Sequence, residues 1–86
     1  MQKRHDEILT SRLEEVLNAG VAHILWDELY RWYEAKKLAI NTYRDLLSRW
    51  QELTDGKMGD LKYVEGRGGI FLLAETNIDS ITSKTE

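Results

Sequence analysis

Two histidines and fifteen carboxylates are the side chains of this 86-residue chain that could bind a metal ion or transfer a proton. His5 and His23 lie far apart, match no known ligand spacing and have no cysteine to join them. The carboxylates fall on charged, helix-like segments, where they usually serve as solvated charge. Neither a nucleophile elbow nor a catalytic triad can be recognised. We therefore expect no metal, no cofactor and no enzymatic activity.

A glycine-flanked arginine is the most specific of the remaining polar residues. Arg67 lies in the segment Gly66-Arg67-Gly68-Gly69, which lacks the Lys-Ser or Lys-Thr ending of a phosphate-binding loop. With glycine on both sides, this arginine could enter a DNA minor groove, although it could also be a solubilising turn residue. Lys57 and Lys62 would add positive charge to the same edge, which favours a functional role for Arg67.

Length and composition limit the classes of protein to consider. A chain of 86 residues has room for one hydrophobic core and is marginally stable unless a partner contributes. The absence of cysteine excludes disulfides and makes the cytoplasm the expected location. No apolar run or signal-like start predicts a membrane or export. The net charge of -3 argues against nonspecific coating of nucleic acid, so DNA contacts must depend on local basic residues.

Helical periodicity occupies the first two thirds of the sequence. Apolar spacing predicts helices over about 4–18, 25–37 and 42–54. Gly20 provides a left-handed end to the first helix, and Asn41 or Thr42 would cap the third. Lys36 and Lys37 lie where cations favour the dipole of the second helix, although they could also contact phosphate.

A strand-like pattern follows Gly59. Residues 61–65 alternate between apolar and polar, and residues 70–74 are apolar, which predicts a hairpin with the glycine-rich segment at its tip. Those glycines would supply the positive φ angles that hairpin turns need. Residues 21–24 could form either a brief strand or an extended lead into the second helix. Residues 1–75 would form the domain, followed by a flexible polar tail over 76–86.

This order of elements resembles a winged helix-turn-helix domain. The segments HILWDELY (23–30) and NTYRDLL (41–47) are similar to the second and third helices of many bacterial winged-helix regulators. The N-terminal domain of ferric uptake regulators has a comparable Leu-Tyr pair and Thr-x-Tyr-Arg-like helix start. The resemblance implies an α+β fold with three helices followed by a two-stranded β-hairpin wing. It does not extend to iron sensing, because cysteines and a second domain are missing.

The resemblance also implies a function, since the third helix of winged-helix proteins usually lies in the major groove and the hairpin tip meets the backbone or minor groove. It predicts a regulator of transcription that binds double-stranded DNA. The candidate DNA-binding residues are Asn41, Thr42, Arg44, Asp45, Ser48, Arg49, Lys62 and Arg67. Arg44 and Arg49 suit guanine edges or phosphates and Asn41 suits adenine, whereas Asp45 and Glu52 on the same face would repel phosphate. A homodimer is expected, through the first helix or the tail, because one winged helix covers few base pairs.

A protein-interaction module or inhibitor is the alternative function, and the acidic net charge is its main support. The three tryptophans and four tyrosines are expected in or near the core. Tyr30, Trp32 and Tyr33 could instead form an exposed aromatic patch for a protein partner. Convergence of the basic candidates on one face would favour DNA, whereas an aromatic patch rimmed by carboxylates would favour a protein.

Overall fold

The computed structural model describes residues 1–34, 40–79 and 81–84. Within these ranges the chain forms an α+β fold with three α-helices and a three-stranded antiparallel sheet. The helices are α1 (Lys3–Ala19), α2 (Trp26–Trp32) and α3 (Ile40–Thr54), and the strands are β1 (Val21–Leu25), β2 (Leu61–Glu65) and β3 (Gly69–Ala74). The strand order in the sheet is β1-β3-β2. Short 3-10 turns follow at Glu75–Asn77 and Ile81–Lys84.

Helix ends agree with the sequence in one place and differ in two. Gly20 ends α1 with a φ of 92°, and its N–H donates to the carbonyl of Val16 at 3.0 Å, which confirms the predicted left-handed end. Helix α2 ends at Trp32, earlier than predicted, and Glu34 has a positive φ of 51°. Residues 36 and 37, the proposed helix-end lysines, lie outside the described residues. Helix α3 begins at Ile40, so the prediction that residue 41 or 42 caps it was wrong.

The segment whose conformation the sequence left open is a strand. β1 pairs antiparallel with β3, with Ala22 opposite Leu72 and Ile24 opposite Ile70. All four of these side chains are buried, and this shared burial gives β1 its place in the sheet. The sheet therefore has three strands where the sequence predicted two. Strands β2 and β3 match the two predicted strand segments closely.

The core lies between the helices and one face of the sheet. Its buried apolar members are Leu9, Leu13, Val16, Ala22, Ile24, Leu29, Trp32, Leu46, Trp50, Ile70, Leu72 and Ala74. Each large side chain among them contributes roughly 1.5–3 kcal/mol through burial. The prediction of core aromatics is confirmed for Trp32 and Trp50, while Trp26, Tyr33 and Tyr43 are partly buried against the same cluster. It was wrong for Tyr30 and Tyr63, which are exposed. In the described part of the chain, no helix has the length and apolar character needed to cross a membrane.

Candidate nucleic-acid interface

Helix α3 presents a polar stripe to solvent. Asn41, Arg44 and Ser48 are exposed and follow one another at i, i+3 and i+7, so they share one side of the helix. The opposite side is buried through Leu46 and Trp50. We call these three exposed residues the α3 stripe. Its side chains offer an amide, a guanidinium and a hydroxyl, which are groups that bind base edges and phosphates.

Three other predicted DNA-binding residues of α3 are not available on this stripe. Thr42 is buried. The Nε–H of Arg49 donates to Oδ2 of Asp45 at 2.8 Å, and its guanidinium also pairs with Asp6 of α1. The hydroxyl of Tyr33 donates to the same Asp45 oxygen at 2.7 Å. Arg49 therefore joins α1 to α3, and two carboxylates neutralise its charge. This pairing argues against a role for Arg49 in binding DNA.

The electrostatics of this Arg49 cluster (Asp6, Tyr33, Asp45 and Arg49) are those of a structural ion pair. Burial alone would raise the pKa of Asp45, but hydrogen bonds from Arg49 and Tyr33 outweigh it and hold that pKa below its ordinary value. Burial, together with the hydrogen bond to Asp45, raises the pKa of Tyr33 well above its usual value. The i, i+4 spacing of Asp45 and Arg49 was a visible sign of this pairing in the sequence.

The hairpin tip is attached to the start of α2. The N–H of Gly66 donates to the carbonyl of Gly69 at 2.8 Å and closes the turn. The backbone N–H of Trp26 donates to the carbonyl of Gly68 at 3.2 Å, and the indole Nε1–H donates to that of Gly66 at 3.1 Å. The two carbonyl groups that accept from Trp26 belong to the residues before and after Arg67, whose side chain is exposed. The structure thus holds the backbone of Arg67 in place and leaves its guanidinium in solvent.

The glycines of the tip have a different role from the one predicted. Gly66, Gly68 and Gly69 do not adopt a positive φ, so the prediction that they supply left-handed turn residues was wrong. Gly69 is a residue of β3 opposite Leu25, and a Cβ added there would lie 2.1 Å from the carbonyl oxygen of Ile24. Glycine is required at this position because the backbones of β1 and β3 approach closely.

The lysines near the hairpin do not extend the α3 stripe. Tyr63 of β2 stacks on Tyr43 of α3, with ring centroids 5.7 Å apart. Because neighbouring strand residues point to opposite faces, Lys62 lies on the side of the sheet away from α3. Its Nζ is 3.5 Å from a carboxylate oxygen of Asp60. Lys57 is exposed in the turn after α3. Arg44 and Arg67 are left as the candidate contacts on the α3 stripe and at the tip.

A cleft of about 260 Å³ separates α3 from the hairpin. Its walls include Leu46 and Leu47 of α3 and Leu61 and Tyr63 of β2, and Asp60 contributes a carboxylate. A mainly apolar wall with an acidic group does not suit a phosphate. The cleft therefore adds nothing to the candidate nucleic-acid contacts.

The alternative aromatic surface does not form as predicted. Trp32 is buried, and the guanidinium of Arg12 lies 5.7 Å from its ring centroid. Tyr33 is partly buried and bonded to Asp45, so Tyr30 is left as the exposed member. The predicted patch of Tyr30, Trp32 and Tyr33 was wrong, because Trp32 faces the core.

Comparison of the chain with protein-family models, with characterised proteins and with solved structures found no match. In the described ranges, no group of three or more histidine, aspartate and glutamate side chains is placed to hold a metal ion. The features of the molecule that bear on function are therefore the α3 stripe and the hairpin tip.

Proposed function

We propose that this chain is a winged helix-turn-helix DNA-binding domain that regulates transcription. The α3 stripe enters the major groove, and Arg67 contacts the phosphate backbone or the minor groove. The order α1-β1-α2-α3-β2-β3, with the sheet order β1-β3-β2, supports this reading, since it provides three helices and a terminal hairpin. The observation that carries the proposal is the exposed α3 stripe with its guanidinium at Arg44. The exposed carboxylate of Glu52 lies one turn further along the same side of α3, so the proposed contact is confined to the first two turns of the helix.

The distribution of ion pairs supports the choice of residues. Arg12, Arg49 and Lys62 each lie within 4.0 Å of a carboxylate oxygen. Arg44 and Arg67 have no such ion-pair partner among the described residues, and both are exposed. The exposed Lys3, Arg4, Arg31 and Lys57 are likewise unpaired there, so Arg44 and Arg67 are chosen for their positions on α3 and at the hairpin tip. An unpaired guanidinium can bind phosphate, or the O6 and N7 atoms of guanine, without first breaking an internal contact. Asn41 adds an amide in the first turn of α3, where the helix dipole favours an anion.

The test is the binding of fluorescently labelled random duplexes by the purified chain, measured by anisotropy at low and at physiological salt. We expect Arg44→Ala and Arg67→Ala each to weaken binding, by about 1–3 kcal/mol where the arginine contacts a base. Lys62→Ala is the matched control, because it removes a cation from the same hairpin on the other side of the sheet. Equal losses in all three variants would indicate general charge attraction and contradict the interface. The absence of binding even at low salt would refute DNA binding itself.

A protein-interaction role is the second candidate, and a surface other than the predicted aromatic patch favours it. Val21, Leu25, Val64 and Phe71 are large apolar residues of the sheet that are exposed to solvent. Exposed apolar residues grouped on one face are typical of a binding surface. Should duplex binding fail, this surface is the one to use in a search for protein partners.

A further inference from the structure

The sheet has an outer face that none of the helices in the described ranges covers. Strand pairing places alternate residues of β1, β2 and β3 on the side opposite the core. This outer sheet face consists of Val21, His23, Leu25, Lys62, Val64, Phe71 and Leu73. One row runs across all three strands, with Val64 opposite Phe71 and Phe71 opposite His23. Phe71 therefore occupies the middle strand at the centre of the face.

The outer sheet face is apolar where solvent exposure predicts polar residues. Val21 is 42% exposed, Leu25 46%, Val64 57% and Phe71 41%. The imidazole of His23 stacks on the ring of Phe71, with centroids 4.3 Å apart and planes 10° apart. An antiparallel sheet covered on one side normally alternates apolar and polar residues. Apart from His23, strands β1 and β3 are instead apolar on both faces, as in a sheet that is covered on both sides.

We propose that the outer sheet face binds the same face of a second copy of this chain. The two sheets would pack face to face about 10 Å apart, with the helices of both copies on the outside. A two-fold axis near Phe71 would bring the Phe71 side chains of the two copies together at the centre of the contact. The homodimer would thus have two sheets at its middle and a layer of helices on either side.

Charge and area argue for a second copy as the occupant. Each copy carries a net charge of -3, so two copies repel unless the surfaces that meet are nearly uncharged. The outer sheet face has one charged residue, Lys62, and Asp60 lies beside it at 3.5 Å. By these exposed fractions its four exposed apolar residues leave roughly 300 Å² per copy in solvent, so that pairing would bury about 600 Å² from them and about 1,000 Å² with His23, Lys62 and Leu73 included, near the lower limit for a specific complex. The dimer is therefore expected to be concentration-dependent.

Association by sheet extension is blocked at one edge. Strand β1 is an edge strand, and its outward carbonyl at His23 accepts from Nη1 of Arg12 at 2.9 Å. The N–H of Leu25 donates to Oε1 of Glu28 at 3.0 Å, and Arg12 pairs with Glu28 through two hydrogen bonds. These side chains occupy the backbone groups that another strand would need at this edge. Strand addition is therefore disfavoured at β1, which is one of the two edge strands of the sheet.

The dimer does not depend on the proposed DNA binding. Helix α3 packs on the inner face of the sheet, so the α3 stripe and the outer sheet face are separate surfaces. Pairing of the outer faces leaves both α3 stripes exposed. In this proposal the outer sheet face, and not α1 or the tail, forms the dimer contact.

Sedimentation equilibrium of the full chain without DNA, over a wide range of protein concentration, tests the proposal. We expect a monomer–dimer equilibrium, and we expect Phe71→Glu to raise the dimer Kd at least about tenfold because it buries an unpaired charge. Ile8→Glu is the matched control, since Ile8 on α1 is also 41% exposed. Circular dichroism establishes that each variant is folded. A monomer at every concentration, or a dimer equally sensitive to both substitutions, would overturn the proposal.

A cross-linking experiment covers the case in which Phe71→Glu does not fold. The chain contains no cysteine, so Phe71→Cys and Ile8→Cys each introduce a single thiol. Under mild oxidation, Phe71→Cys should form a disulfide-linked dimer at least tenfold faster than Ile8→Cys, because the dimer holds the two thiols together. Equal rates for the two variants would place the contact elsewhere.

Discussion

At the scale of single residues, the difference between a structural and a functional cation is its partner. Arg49 resembles Arg44 in the sequence, since both lie on α3 among polar neighbours. In the structure Arg49 is tied to two carboxylates, whereas Arg44 has no ion-pair partner in the parts of the chain that are described. An arginine that already binds Asp6 and Asp45 must give up those contacts before it can bind DNA. This difference gives Arg49 a structural role and leaves Arg44 available for the proposed DNA contact.

The pairing of Arg12 with Glu28 predicts how stability depends on pH. Burial alone would raise the pKa of Glu28, but hydrogen bonds from Arg12 and from the N–H of Leu25 hold it below its ordinary value of 4.5. A carboxyl whose folded pKa is lowered stabilises the fold above its unfolded pKa and loses this effect as pH falls through the folded pKa. Urea unfolding at stepped pH should therefore show a loss of stability below about pH 4.5 that is smaller in Glu28→Gln. An equal loss in both proteins would contradict this role of Glu28.

At the scale of elements, close contact between β1 and β3 determines the residue at the start of β3. Gly69 lies against the backbone of Ile24, and the neighbouring Gly68 has open space where a Cβ would lie. Two adjacent glycines that look equivalent in the sequence therefore have different functions. Position 69 needs glycine so that the two strands can pair, whereas position 68 has room for a side chain.

Alanine at each of these glycines should have very different effects. Gly69→Ala places a methyl group against a carbonyl oxygen and should lower the free energy of unfolding by roughly 1–3 kcal/mol. Gly68→Ala has no such contact and no positive φ, so we expect a change of at most about 0.5 kcal/mol. Chemical denaturation of the two variants measures both values. Similar values would argue against the close approach of β1 and β3.

At the scale of the whole molecule, a net charge of -3 limits how the chain can bind DNA. The proposed interface offers two cations, Arg44 and Arg67, to replace counterions, so attraction to the backbone is weak and depends on their placement. The helices and the sheet form two layers, and the outer sheet face is available to a second copy. A dimer would double the number of DNA contacts and cover apolar surface that the small monomer leaves exposed.

The number of cations at the proposed interface predicts how DNA binding depends on salt concentration. If Arg44 and Arg67 each neutralise one phosphate, log Kobs should fall with log salt concentration with a slope of about -2 per protomer. Arg67→Ala should reduce the magnitude of that slope by about 1. Anisotropy titrations at several salt concentrations measure the slope, and Lys62→Ala should leave it unchanged. A slope several times steeper would mean that further cations contact the backbone.

Much of the secondary structure could be predicted from the sequence, because it depends on local periodicity. Apolar spacing of 3.6 residues marks α1 and α3, alternation marks β2, and Gly20 marks the end of α1. The α3 stripe could be predicted for the same reason. The start of α3 and the end of α2 were predicted less well, since the residue types that cap helices also occur inside them.

Only the tertiary structure decided which surfaces are free. The pairing of β1 with β3, the attachment of the hairpin tip to Trp26 and the contact of Arg49 with Asp6 all join residues that are distant in the chain. Such contacts depend on how whole elements pack, which no local pattern contains. The sequence by itself determined the helices, most of the strands and the candidate cations. Packing decided that Arg44 and Arg67 lack ion-pair partners in the described residues and that an apolar sheet face remains exposed.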